Sequence, residues 1–557
     1  MDDAEWDTIT AQTWSLHLPE ILQHLSTCSF VALDFEFSGI AAHRTFSARH
    51  VAPLQERYAD IKEAAAKFQI LQVGLTIAHE DPVSGTYTLK PYNVHLSPLV
   101  DPILGIDRIF SISSGAIQFL LKSGFRMDTP FVDGVRYLTQ KEEELALKEA
   151  CRHDNQSRSE TVVQMELSKK ENTESLAFLA VIRKEIDEWV ARGEGAADYL
   201  NVPSRQSKSH KSKATVTSLN RFQKRLVHQL VEKEYPLLTT FGRTDFVTIT
   251  RYDKRREENI LQQKIQRVEK RLVDHRGFRW IIEALTGGDL SQLEAKLFDS
   301  VVLDCGKLSR GTAIKNFAES VKSGLQKNRP PVVGHNLFTD VVYMWQCFFG
   351  ELPDRVEDFA KLVHDKFPLL IDTKYMFTHD CGDVNPVASL ASMDEALKGI
   401  TDPEIVIDAK HTRYRRAQHL HEAGYDSLLT ARNFIKQASQ LPEARRMPAA
   451  EPPEISETKP AHDLIVDVVD KALTRPAANS KDLSFAELQS KFAHQNLFDT
   501  LIEGTDGPEE LIDEPNDDDR EMATLIPSFS SPVWKVYGNK LRVFGTSERV
   551  CALDGGS

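Results

Sequence analysis

The 557-residue sequence predicts an α/β fold, and three segments far apart in the chain carry that prediction. The first, Phe30-Val-Ala-Leu-Asp-Phe-Glu-Phe-Ser-Gly39, opens as a short apolar run of the kind that forms a buried strand. The second, Pro331-Val-Val-Gly-His-Asn-Leu-Phe-Thr-Asp340, reads as a strand end, a glycine turn and the start of a helix through Val341-Val-Tyr-Met-Trp345. The third, His421-Glu-Ala-Gly-Tyr-Asp426, reads as a loop entering an amphipathic helix that turns Leu428, Leu429 and Phe434 inward.

Each segment places chemistry on its element. On a strand, residues i and i+2 face the same way, so Asp34 and Glu36 project together while Leu33, Phe35 and Phe37 fill the other face. A lone Asp-x-Glu also fits a solvated strand end, but a core strand that buries two carboxylates without a partner is strongly destabilised. Asn336 is expected to cap the helix that follows it, with Asp340 in the first turn. An acidic residue there also suits the helix dipole. Asp426 is expected in the first turn of its helix, with His421 five residues upstream on the loop. There the histidine can reach an attacking water, and an imidazole pKa near about 6.5 suits a general base. Four acidic groups in one apolar neighbourhood repel one another unless something cationic sits between them. Hard oxygen ligands select Mg²⁺, or Mn²⁺ in its place. Two such ions can activate a water and stabilise a leaving oxygen at a phosphodiester.

In order and placement, these motifs resemble the DEDD exonuclease superfamily, in the subtype whose last motif carries His. The flanks add Glu56-Arg-Tyr58, Phe68-Gln-Ile-Leu-Gln-Val-Gly-Leu-Thr76, Pro91-Tyr-Asn93, Phe125 to Tyr137 with Gln140-Lys-Glu-Glu-Glu144, Gly334-His-Asn336 and Asp372-Thr-Lys374. With these, residues 20–440 look like the poly(A)-specific ribonuclease family. The resemblance implies a ribonuclease H-like mixed sheet flanked by helices and interrupted by a small α+β inserted domain. It implies 3′→5′ hydrolysis of single-stranded RNA, preferring adenosine tails and releasing 5′-mononucleotides. It also implies two divalent ions held by Asp34, Glu36, Asp340 and Asp426, with His421 as the base. Phe37 and Ile40 become candidates to line the terminal base, and Asn336 a further substrate contact. Two rivals stay open: a DNA 3′→5′ exonuclease, and a non-catalytic RNA-binding or scaffold protein that keeps the fold.

The net charge of −14 runs against nucleic-acid binding, which relies on Lys and Arg at phosphates. Part of the acid belongs to the candidate metal site and part to Asp506–Glu521, whereas basic residues gather at 205–276. The hydrophobic fraction of 41% and charged fraction of 27% are ordinary for a soluble globular protein. The six cysteines have no C-x-x-C spacing, so neither a zinc site nor a disulfide framework is readable. With no signal peptide and no apolar run of the ~18–20 residues that span a bilayer, a soluble nuclear or cytoplasmic protein is expected.

Five segments are expected along the chain: a first exonuclease half at 1–155, an inserted module at 160–250, a second half at 255–440, a Pro/Ala/Glu-rich linker at 444–482, and a partly disordered segment at 483–557. In the insert, Leu176, Leu179, Ile182, Ile186 and Val190 recur at helical period. The related family holds a single-strand-binding module here, named for Arg-x-x-x-His. This chain offers Lys224, Arg225 and His228, with Lys where the signature has Arg, which keeps the charge but loses the planar fork. That module also serves dimer contacts in the family, so a homodimer is an expectation. Near the end, Ser484–Phe492 reads as a helix, and Pro532–Tyr537 and Lys540–Phe544 as paired strands turned by Gly538-Asn539.

Overall fold

In the computed structural model the described residues are 6–40, 51–151, 173–193, 197–203, 218–252, 254–302, 309–379, 389–415, 418–441 and 524–555. The expected linker at 444–482, the helix at 484–492 and the acidic stretch at 506–521 lie outside them. Packing divides the chain into two units: Met1–Glu144 together with Arg271–Ser557, and Leu145–Lys270.

The first unit is built on a mixed sheet. Its strands among the described residues are β1 (Thr8–Ile9), β2 (Phe30–Phe37), β3 (Ile70–Asp81), β4 (Thr86–Ser97), β5 (Val135–Arg136), β6 (Val332–Gly334), β7 (Leu370–Asp372) and β8 (Glu404–Ile407). The order is β1-β4-β3-β2-β6-β7, and β5 and β8 also pair with β4. β3 runs antiparallel to both β2 and β4, whereas β2–β6 and β6–β7 are parallel. This is the mixed α/β sheet flanked by helices that the sequence led us to expect.

Period-two alternation sorts the two faces. Val31, Leu33, Phe35 and Phe37 pack into a large core with the helices Trp14–Leu25, Leu54–Lys67, Arg279–Thr286 and Phe338–Phe348. Phe30 and Ala32 turn the other way, into a second core formed with the helix Ala423–Ala438. Two helices that matter to the site thus cover opposite faces of one strand.

Residues 524–555 belong to this same unit. Pro532–Tyr537, expected as a strand, instead contains a helical turn, Trp534–Tyr537. Its β-branched and aromatic content favours a strand, but Trp534 and Tyr537 are three apart and bury together against the second core, which only a helical turn allows. The strand Lys540–Arg542 then pairs antiparallel with Val550–Ala552.

In the second unit, strands Tyr199–Val202, Val247–Arg251 and Leu238–Gly242 form an antiparallel sheet, with Val247–Arg251 central. The helices Thr173–Ala191 and Arg221–Glu234 close a core around Ile186, Val227 and Ile249. Of the expected apolar stripe, Leu179, Ile182 and Ile186 are buried, but Leu176 and Val190 are exposed. Trp189 takes the inward position beside Val190, because the stripe drifts as 3.6 residues complete a turn. Among the described residues, no helix is long and apolar enough to cross a membrane.

Candidate active site

The site forms where the carboxyl ends of β2 and β6 meet two helix N-termini. Asp34 and Glu36 share the face of β2 that looks toward the helix Ala423–Ala438. That helix is seated by neighbours of the same face. Asp34 pairs with Gly74, Glu36 with Gln72, and Gly74 in turn with Asn93. The Gln72 Oε1 accepts the Ala423 N–H at 3.0 Å, and the Asn93 Oδ1 accepts the Gly424 N–H at 3.2 Å. The Thr76 and Ser427 hydroxyls bond at 2.9 Å. A Cβ on Gly74 would fall 1.7 Å from the Ala423 carbonyl oxygen, so only glycine admits the helix this close. Gln72, Gly74 and Asn93 stand in the family-like motifs of the sequence, yet nothing local in the sequence reveals this seat.

The seat brings Asp426, in the first turn of its helix, to the β2 pair. Carboxylate oxygens of Asp34, Glu36 and Asp426 all lie within 4.8 Å of one another, and each residue is half-buried. Asp340 enters from the other face, in the first turn of Phe338–Phe348. It stands outside that tightest trio, but its charge acts on both Asp34 and Glu36. The Asp340 helix is tied to the chain just past β2, where the Tyr343 hydroxyl donates to the Gly39 carbonyl at 2.8 Å.

Burial, then the neighbouring carboxylates, push these groups toward their neutral forms. Loss of solvent raises Asp34 well above the usual carboxylate range, and Asp426, Asp340 and Glu36 add to it. Burial pushes Glu36 up to about 8, with Asp426 and Asp340 adding. Asp340 rises to about 8 through burial, opposed by a backbone N–H and reinforced by Asp372. Asp426 rises to about 7 through burial, opposed by the His421 N–H. A pKa unit is about 1.4 kcal/mol. Ionising Glu36 or Asp340 in the folded state at pH 7 without a counter-charge therefore costs on the order of 1 kcal/mol each. A set of clustered, oxygen-only donors held against their own repulsion fits a hard divalent cation.

His421 sits on the loop before Asp426, exposed, at φ 66°. Its backbone N–H donates to the Asp426 Oδ2 at 3.2 Å, so its side chain is free to point away from that carboxylate. The ring meets the half-exposed Phe119 edge-on, with centroids 4.8 Å apart. Glu422 holds the loop: its carboxylate takes a two-pronged contact from Arg413, at 2.9 and 2.6 Å, and a hydrogen bond from the Tyr414 hydroxyl. Neither Phe119 nor the Arg413–Glu422 pair is signalled by sequence spacing.

Phe37 is a core residue, 4.4 Å centroid to centroid from Tyr343, because it continues the alternation of Val31, Leu33 and Phe35 into the large core. Ile40 is exposed just beyond it. Asn336 does not cap the helix. Leu337 is the cap residue, and Asn336 sits at φ 59° with its N–H donating to the Asp372 Oδ1 at 2.8 Å. The left-handed turn gives the Asn336 backbone to Asp372 and leaves its side chain exposed. Lys224, Arg225 and His228 lie in the second unit, on the helix Arg221–Glu234. The Lys224 ammonium donates to the carbonyls of Arg243 and Thr244 at 3.2 and 2.9 Å. The His228 Nδ1 lies 2.7 Å from the Thr240 hydroxyl, and Arg225 is exposed.

Residues 9–434 match the sequence profile of the CAF1 family ribonucleases. The chain is 26% identical over 447 residues to a poly(A)-specific ribonuclease of Xenopus laevis, covering 78% of this chain and 62% of that one. It is 23% identical over 440 residues to an uncharacterised Schizosaccharomyces pombe protein, covering 75% of this chain and 90% of that one. It is also 23% identical over 370 residues to the pre-piRNA 3′-exonuclease trimmer of Bombyx mori, covering 66% of this chain and 57% of that one. The chain thus spans less than two thirds of the length of the ribonuclease relatives. Among solved structures, S. pombe Pop2p with Mg²⁺ and Mn²⁺ bound aligns at a TM-score of 0.33 and 12% identity, over 78% of this chain and 92% of that one.

Proposed function

Because the chain belongs to the CAF1 ribonuclease family, we propose that it is a metal-dependent 3′→5′ exoribonuclease acting on single-stranded RNA, removing poly(A) tails or trimming small-RNA 3′ ends. The observation that carries this reading is the meeting of Asp34, Glu36 and Asp426 oxygens within 4.8 Å, beside an exposed His421. The preference for adenosine tails rests on the likeness to poly(A)-specific ribonucleases.

In this reading Asp34, Glu36 and Asp426, with Asp340 at their edge, would hold two Mg²⁺ ions, for which Mn²⁺ can substitute. When bound, the ions neutralise the carboxylates and supply charge to the water and the scissile phosphate. A ring nitrogen of His421 takes the proton of the attacking water. The water oxygen bonds to phosphorus, and the P–O3′ bond breaks with its electron pair on the 3′ oxygen. That oxygen takes a proton from solvent, leaving a 5′-mononucleotide and an RNA one residue shorter. The Glu422 clamp keeps the His421 loop in one place. Contacts to the 2′-OH and stacking would distinguish RNA from DNA. We assign Ile40 and Asn336 to substrate contact from their exposure near the site, and Arg225 to RNA phosphate. The second unit is the candidate surface for a homodimer, and the substrate class suits the nucleus or cytoplasm.

The test is hydrolysis of 5′-labelled oligo(A) and oligo(dA) in Mg²⁺. A ladder shortening one nucleotide at a time from a free 3′-OH, on RNA in preference to DNA, supports the reading. Internal cleavage of a 3′-blocked substrate, or no cleavage at all, overturns it.

A further inference from the structure

Residues 524–555 lie beyond the stretch that matches the family, which ends at 434, yet they bond to β7, the strand that pairs with β6. We propose that this segment is a positioning strap for Asp340, acting through Asp372; the idea rests on the nuclease reading above.

Asp372 is fully buried at the end of β7, level with Gly334 at the end of β6. Its carboxylate collects four backbone N–H groups from three parts of the chain: Asn336 at 2.8 Å, Leu337 at 3.4 Å, Lys374 at 3.0 Å and Arg542 at 2.9 Å. The first two belong to the turn that starts the Asp340 helix. The last belongs to the strap. A buried carboxylate is held in one orientation by the donors that satisfy it, so the strap and the Asp340 turn share one anchor. The charge of Asp372 also reaches Asp340.

The strap is fastened at several points. The Asn539 side chain mimics a strand neighbour of β7: its Oδ1 accepts the Leu370 N–H at 3.0 Å, and its Nδ2 donates to the Pro368 carbonyl at 2.9 Å. The Arg542 Nε donates to the Thr378 hydroxyl at 2.8 Å, and its guanidinium lies 5.2 Å from the Tyr375 ring centroid. Further along, the Glu548 carboxylate accepts the Leu54 N–H at 2.8 Å, capping the helix Leu54–Lys67. These are the fastenings made by Asn539, Arg542 and Glu548. Their role is to hold Asp372, and Asp372 holds the turn.

The experiment compares full-length wild type with Arg542→Ala and, as a gentler release, Asn539→Ala. Three quantities are read: amide hydrogen exchange at Asn336 and Leu337, Mn²⁺ affinity by calorimetry without RNA, and kcat and KM on oligo(A). The account expects exchange at both amides roughly tenfold faster, Mn²⁺ affinity roughly tenfold weaker, and kcat lowered with KM unchanged. Unchanged exchange at Asn336 and Leu337, in a variant whose strap amides do exchange faster, overturns the proposal. So does a loss of activity confined to KM. A wild type that neither binds Mn²⁺ nor cuts RNA would remove the nuclease reading instead, and the exchange rates would still decide whether the strap holds the turn.

Discussion

Gly74 stands directly opposite Asp34 in the β2–β3 ladder, and the Ala423 carbonyl fills the place where a side chain on Gly74 would be. One missing methyl group therefore sets how near the Asp426 helix comes to the Asp34 strand. Gly74→Ala would put a Cβ 1.7 Å from backbone, which cannot rotate away. The helix must shift, destabilising the fold by about 1–3 kcal/mol or more. A displacement near 1 Å in the site is expected to lower RNA hydrolysis on the order of 100-fold. Thermal unfolding and single-turnover rates on oligo(A) check both; wild-type activity would mean that the seat does not position Asp426.

Removing one charge from the cluster has opposite effects on function and on metal-free stability. Asp34→Asn is expected to abolish hydrolysis while the metal-free Tm holds or rises, since Asp34 is buried among Asp426, Asp340 and Glu36. The Tm gain on adding Mn²⁺ should vanish with it. A variant that loses stability without metal yet keeps its Mn²⁺-dependent gain would contradict the assignment.

The same electrostatics fix a sign for pH. Burial raises Glu36 and Asp340 to about 8, against about 4 in an unfolded chain. Between those values the folded state binds more protons than the unfolded one, so metal-free stability falls as pH rises toward 8. The stability tied to these raised carboxyls is complete below about pH 4 and lost as pH passes about 8. Calorimetry from pH 6 to 8.5 should show the metal-free Tm falling and the gain from Mg²⁺ growing. A Mg²⁺ gain that is flat with pH would mean that these carboxyls are not the ligands.

The role proposed for His421 is that of a base and not a ligand, in keeping with a contact to Asp426 made by its backbone N–H. His421→Ala is expected to lower kcat about 10²–10⁴-fold and to leave Mn²⁺ affinity near wild type. Glu422→Ala, which frees the loop from Arg413 and Tyr414, should lower kcat less and leave KM unchanged. Calorimetry and steady-state kinetics separate the two effects; loss of Mn²⁺ binding in His421→Ala would make it a ligand.

Much of the site is legible in sequence because each chemical group stands on an element with a plain local signature. The Asp34–Glu36 pair follows a core strand, Asp340 follows a Gly-marked turn, and Asp426 opens a periodic helix. What escapes a sequence reading depends on pairing between distant segments. The Ala423–Gln72 contact joins residues 351 apart, and the Arg542–Asp372 contact joins residues 170 apart. Trp534–Tyr537 misleads for a related reason. A core waiting for two aromatic rings decides its placement, and that core is not written in the local pattern.

The central claim is that Asp34, Glu36 and Asp426 close around a divalent ion. Anomalous diffraction from a crystal soaked in Mn²⁺ addresses it without reference to activity. The account predicts a strong peak between the three carboxylates, with oxygens at about 2.1 Å, and its loss in Asp34→Asn. A crystal that binds Mn²⁺ elsewhere while those oxygens carry no ion would contradict it.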